Sequence, residues 1–371
     1  MRTQTFSGRL TRSLPAAGAV LGLLFWLLPG FPLREGSAGE DPAGGNPLLS
    51  SSRALDITVD YSGNAYVTGE SFGPGSSADW ATLKYSTSGG ERWVERFDGF
   101  TSLYDAPAAI VLGPSSAVCI TGHSQSADSS SDFLTLRYTS DGTLEWSARY
   151  DGPAGLHDAA VSLAADLQGY VYVTGTSRGL LTGDDIAAIR YNASGEEEWV
   201  VRYDGASHGD DRAAGIAVDG SGNVFVAGTT TGPGGGTDYV TLKYGSAGNL
   251  LWTKIYDGAG LSDRAAAVAV DAAGSVIVTG SSEGAGTQTD FATVKYTAAG
   301  VQQWAVRYNG SADSTDSPAG LAVDVQRNVI VAGTGVDSLS GSDYVTIKYN
   351  QHGTRLWEAR YNGPGGGDDR P

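Results

Sequence analysis

The chain has 371 residues, with 54 Gly, 18 Tyr, 8 Trp, one Cys and one Met, and 41 acidic against 24 basic side chains give a formal charge of −17. Glycine at this level beside so many aromatics, without a Gly-X-Y period, excludes collagen and simple disorder. The lone Cys119 excludes an intrachain disulfide or Cys-pair zinc framework, and the acidity argues against a nucleic-acid-binding surface.

Residues 1–12 hold Arg2, Arg9 and Arg12 and no acid, and Ala16 to Leu28 (AAGAVLGLLFWLL) form an apolar run ended by Pro29 and Gly30. With Gly36-Ser37-Ala38 beyond it, this has the order of a cleaved secretory signal over residues 1–38. The run is shorter than the roughly 20 apolar residues of a membrane helix, and an uncleaved anchor is the alternative. Residues 39–52, rich in Gly, Pro and Ser, read as a flexible lead-in. The expected location is therefore secreted, periplasmic or cell-surface, with no membrane association after cleavage.

From residue 53 onward the chain repeats. Trp93, Trp146, Trp199, Trp252, Trp304 and Trp357 recur every 52 or 53 residues. Each is preceded four residues earlier by Gly, at Gly89, Gly142, Gly195, Gly248, Gly300 and Gly353. A cation column (Lys84, Arg137, Arg190, Lys243, Lys295, Lys348) and an acid column (Asp79, Asp132, Asp185, Asp238, Asp290, Asp343) keep the same phase. The length that would suggest several domains thus belongs to one repeat array over 53–371, with units 53–105, 106–158, 159–211, 212–263, 264–316 and 317–369.

The fourth unit shows the elements in order. GIAVD (Gly215 to Asp219) is a short strand, GSGN a turn, VFVAG (Val224 to Gly228) a strand apolar on both faces, DYVTLKY (Asp238 to Tyr244) a third strand and LLWTKIY (Leu250 to Tyr256) a fourth. Four strands per unit, no helical period and closely spaced turns predict an all-β β-propeller of four-stranded blades. Six blades closing a ring is the favoured arrangement. The alternative is a seven-bladed ring with one blade missing from this chain, because Asp369-Arg370 repeats the phase of Asp211-Arg212 and Asp263-Arg264.

The A-V-D-x-x-G-N-V-x-V-x-G stretch (Val218 to Gly228), the D-[FY]-x-T-x-K-Y stretch and the G-x-x-x-W-x-x-x-Y-[DN]-G ending resemble the seven-bladed β-propeller (SBBP) repeat of secreted bacterial proteins. The resemblance covers 53–370 and implies an exported propeller with no defined chemistry. The second unit departs from it, with Gly113 replacing the first-strand Asp and Cys119 standing at the position of Tyr66, Tyr172 and Phe225. That Cys reads as a small core residue.

The Trp spacing also resembles quinoprotein dehydrogenase propellers, but a single Cys cannot form a vicinal disulfide. A Trp buried at each blade junction is the expected role, with truncation to Ala costing about 3–5 kcal/mol. G-x-S-x-G occurs at Gly69–Gly73, Gly175–Gly179 and Gly280–Gly284, one repeat position with no helix after it, so no nucleophile elbow is read there. The cation column is expected to form a structural ion pair with the Asp79 and Asp219 columns.

Loops after the second and fourth strands share one face of the disc. That face is expected to hold Asp105, Asp158, Asp211, Asp263 and Asp316, either as repeated turn caps or as weak Ca²⁺ ligands. Residues that break the repeat are the binding candidates: His157, Asp158, Asp184, His208 and Asp210. No catalytic residue is assigned, and no cofactor beyond that Ca²⁺ possibility. The leading expectation is an exported, non-catalytic, monomeric scaffold for a protein or carbohydrate ligand. The alternatives are an extracellular enzyme acting on a glycan or similar polymer at the channel mouth, and a calcium-dependent carbohydrate-binding module.

Overall fold

The computed structural model describes residues 52–72, 77–99, 101, 103–128, 130–338, 341–364 and 367–369. The signal segment 1–38 and the lead-in up to residue 51 lie outside the described residues. Six antiparallel sheets of four strands each follow in chain order, over 53–97, 105–150, 158–203, 212–256, 263–308 and 317–361. Within each sheet the strands pair in sequence order, first to fourth. The all-β propeller of six repeated blades is as expected. The first strands of the second, third and fifth blades begin at Asp105, Asp158 and Asp263, one residue before the boundaries drawn above.

First strands of consecutive blades pack against one another and so stand nearest the axis, while the Trp-bearing fourth strands form the rim. Between blades lie apolar layers. Tyr172, Ile186 and Ala188 of blade three, for example, meet Ile216, Val224, Val226, Val240 and Leu242 of blade four. This explains the continuously apolar second strand, since blades two to five are each covered on both faces.

Two glycine columns follow from close approaches. The first strand bulges beside the middle of the second, between Ala213 and Gly215 in blade four. That bulge presses a carbonyl onto the second-strand glycine: a Cβ at Gly175 would fall 2.2 Å from Ala159 O. From the second blade on, the glycine four residues before each Trp serves the preceding blade's Trp, not its own. At Gly195, φ is +83° and a Cβ would lie 2.6 Å from Trp146 Cγ.

Each indole from blades one to five donates to a turn carbonyl of the next blade, as Trp93 does to Ser140 at 3.1 Å and Trp304 to Gln351 at 2.9 Å. These indoles are half-buried at the rim, less enclosed than the junction burial expected of them. A ring lying under a glycine at the disc edge stays open to water on its outer side. Trp357 of blade six is 44% exposed. Among the described residues, no strand of the sixth sheet shares an extended contact with a strand of the first.

The second blade's missing Asp has a local substitute. A 3₁₀ turn over Pro114–Ser116 replaces the Gly-Asn turn, with Gly113 N–H donating to Ala117 O at 2.8 Å. Cys119 is fully buried, and burial pushes its thiol pKa up to about 12, so it is a core residue and no nucleophile.

Candidate functional site

The repeated acids are structural. Asp105, Asp158, Asp211, Asp263 and Asp316 are buried, and each accepts the N–H of the glycine that ends the preceding blade: Gly99 at 2.7 Å, Gly152 at 2.6 Å, Gly205 at 2.5 Å, Gly258 at 2.6 Å and Gly310 at 2.5 Å. They cap the crossover from one blade to the next, and they do not form an exposed ring of carboxylates on the loop tips. Burial pushes all five above the usual carboxylate range.

The expected partner of the third-strand acids was wrong. Asp79 pairs with Arg96 at 2.6 Å, Asp185 with Arg202 at 2.7 Å and Asp290 with Arg307 at 2.8 Å, and Asp132 with Arg149 likewise. These arginines lie on the fourth strand of the same blade, diagonal to the acid on one face. Asp79 and Lys84 are an odd number of residues apart, so a strand's two-residue period puts them on opposite faces.

The third-strand cations instead reach several partners. Lys84 donates to Ser140 O at 2.7 Å and Lys243 to Ala298 O at 2.9 Å, both across a blade junction. Arg137 pairs with Glu145 at 2.7 Å, and Arg190 with Glu198 at 3.2 Å while stacking 3.6 Å from the Tyr170 ring centroid. Among the described residues, only the last two blades realise the pairing with the Asp219 column: Lys295–Asp271 and Lys348–Asp324, each 2.8 Å. The G-x-S-x-G serines are equally committed, Ser177 and Ser282 each accepting the arginine of their own blade.

Of the five binding candidates, the structure gathers Asp184, His208 and Asp210 above blades three and four. The blade-three hairpin loop and the crossover to blade four are knit together. Gly183 N–H donates to His208 O at 3.3 Å, Asp184 N–H to Asp210 Oδ1 at 3.1 Å and Asp211 N–H to Asp184 O at 2.5 Å. Two arginines that sequence reading passed over complete the cluster. Arg178 contacts Asp184 at 3.0 Å and Asp210 at 3.6 Å, and Arg212 contacts the same acids at 3.5 and 3.2 Å. His208 pairs with Asp204 at 2.6 Å. At the tip of the same hairpin loop, Leu180 and Leu181 are 71% and 97% exposed. A Leu-Leu pair in a loop that is Gly, Ser and Pro in most other blades was a visible sequence signal.

His157 and Asp158 lie one crossover earlier and do not join this cluster. His157 is exposed, with Nδ1 3.3 Å from Ser131 Oγ, and Asp158 is the buried cap described above. The same face over blades one and two holds a further group: Tyr104 donates to Glu70 at 2.8 Å, and its ring centre is 5.7 Å from that of His123. Burial lowers the His123 pKa. Glu70 and His123 occupy the position after the second-strand glycine, where the other blades have Thr176, Thr229, Ser281 and Thr334. That break in a Ser/Thr column was the signal for them.

Residues 201–235 match the SBBP β-propeller repeat. The match runs from the last strand of blade three through the first two strands of blade four. No curated protein matches the sequence. Among solved structures, an ancestral GH74 enzyme aligns with a TM-score of 0.51 at 13% identity, over 85% of this chain and 39% of that one. An α-L-arabinofuranosidase from Fusarium graminearum aligns at 0.49 and 12%, over 76% and 88%. The quinohemoprotein alcohol dehydrogenase of Comamonas testosteroni aligns at 0.44 and 11%, over 84% and 68%. At these identities the likeness is one of fold alone.

Proposed function

We propose that this chain is an exported, non-catalytic β-propeller that recognises a protein surface through the loops above its third and fourth blades. The observation that supports it is the exposed Leu180-Leu181 tip beside the Arg178–Asp184–Asp210–Arg212 network. An apolar anchor rimmed by fixed charges of both signs is the anatomy of a protein recognition patch, with the leucines supplying affinity and the charges orientation. The hairpin and crossover are hydrogen-bonded to each other, so the patch is preorganised and loses little freedom on binding.

The expectation is tested by affinity capture from an envelope extract with the full chain and with a Leu180→Asp/Leu181→Asp variant, which should fold unchanged because both side chains are in solvent. A partner kept by the wild type and lost by the variant supports the proposal. Turnover of a glycan, with the variant as active as the wild type, would replace it with the enzyme reading. Export is checked separately, by N-terminal sequencing of protein recovered outside the cytoplasm, which should begin after Ala38.

A further inference from the structure

In blades two and three the third-strand cation meets a carboxylate from the fourth strand: Arg137 with Glu145 at 2.7 Å and Arg190 with Glu198 at 3.2 Å. Each of these acids is the residue that the strand register passes over, between the partners of the cation and of the tyrosine after it. In blade one the register passes over Arg92 in the same way, between Glu91 opposite Tyr85 and Trp93 opposite Lys84. Lys84 and Arg92 thus stand where those blades have an ion pair. The last three blades carry the uncharged Leu251, Gln303 and Leu356 at this position, so two cations are set together in blade one alone.

Like charges side by side on a sheet destabilise it unless an opposite charge meets them. Among the described residues none does. Lys84 donates to Ser140 O at 2.7 Å and lies 4.8 Å from the Tyr66 ring centre, both neutral groups. Arg92 is exposed and makes neither a hydrogen bond nor an ion pair among the described residues. The Asp60 carboxylate, whose counterparts Asp271 and Asp324 pair with their lysines, accepts from Asn64 and Tyr66.

The two cations open onto a cleft of about 470 Å³, lined by Asn64, Lys84, Arg92 and Trp93 of blade one and by Ser140 and Asp141 of blade two. That volume is in the range of small-molecule sites. The matching cleft between blades three and four is about 240 Å³, and its Arg190 is already paired with Glu198 and stacked on Tyr170. Asp141 is turned to its own hairpin, where Oδ1 accepts the Thr139 and Thr143 hydroxyls. Two cations and that one acid leave the lining with a single positive charge, on a chain whose formal charge is −17.

We infer that this cleft binds an organic monoanion of monosaccharide size, such as a uronic acid, through its carboxylate. Arg92 presents a planar fork that matches a carboxylate, and Lys84 adds a point charge beside it. One net positive charge suits a monoanion better than a phosphate dianion. Asn64 and the half-buried Trp93 offer a polar and an apolar contact to the rest of the molecule. The lining turns follow first and third strands, so the cleft faces away from the Leu180-Leu181 loop. The inference therefore does not depend on what that loop binds.

The test is calorimetric titration of the full chain with sodium glucuronate, with glucose and with inorganic phosphate, at low and at physiological salt. The expected result is one glucuronate per chain, with affinity falling as salt rises, no heat from glucose, and weaker binding of phosphate. Arg92→Glu should keep the native circular dichroism and Tm, because it recreates the arrangement of blades two and three, and should weaken glucuronate binding by about tenfold or more. Arg92→Gln, which removes the charge without adding an acid, should weaken it by about threefold or more. No heat from glucuronate in the wild type would overturn the assignment. So would glucose binding as well as glucuronate, phosphate binding more tightly, or glucuronate binding undiminished in both variants.

Discussion

Eight aspartates, Asp56, Asp105, Asp132, Asp158, Asp211, Asp238, Asp263 and Asp316, are raised above the ordinary carboxylate range, in each case chiefly by burial. A carboxyl raised in the fold binds protons there before it does in the unfolded chain. Stability contributed by these groups therefore increases as pH falls through the interval just above the ordinary aspartate value. Asp60, Asp210, Asp271 and Asp324 are lowered, so their contribution is present above that value and is lost only as pH falls below it. His123, held neutral by burial, opposes the trend as pH falls below the ordinary histidine value, but it is one group against eight. Melting is therefore expected at higher temperature near about pH 4.5 than near about pH 7, with a shallower slope in Asp211→Asn. A Tm that rises steadily toward neutral pH would contradict this.

The strand period governed which contacts were foreseeable at the scale of an element. Strand count, strand order and turn positions were legible because apolar and turn residues recur in phase six times. Spacing along one strand points to the wrong ion-pair partner, because the strand's alternation puts Asp79 and Lys84 on opposite faces. The Gly-x-x-x-Trp motif likewise looked like one local unit, whereas its glycine and its tryptophan serve opposite junctions. Gly195→Ala should thus lose about 1–2 kcal/mol from the left-handed backbone alone, and more from the collision with Trp146. Gly234→Ala, where a Cβ would meet nothing within 4 Å, should be close to neutral. Urea denaturation of the two variants against the wild type measures the difference.

The whole molecule behaves as a stack of nearest neighbours, each blade supported by those beside it. Equivalent first-strand residues show the consequence. Ile110, Leu163 and Ile216 are 3%, 4% and 6% exposed, each facing the preceding blade, while Ile57 of blade one is 42% exposed. Ile216→Ala should cost about 2–5 kcal/mol by urea denaturation. Ile57→Ala should cost less than about 1 kcal/mol. Equal losses would mean that blade one is covered as the others are. By itself the sequence determined the blade, its four strands and its six-fold recurrence, because hydrophobic period and turn chemistry are local and each repeat states them again. Only the tertiary structure decided which of six equivalent residues is buried, which arginine meets which aspartate, and where two cations line one cleft. Those depend on what the neighbouring blade places opposite, and a single strand does not encode its neighbour.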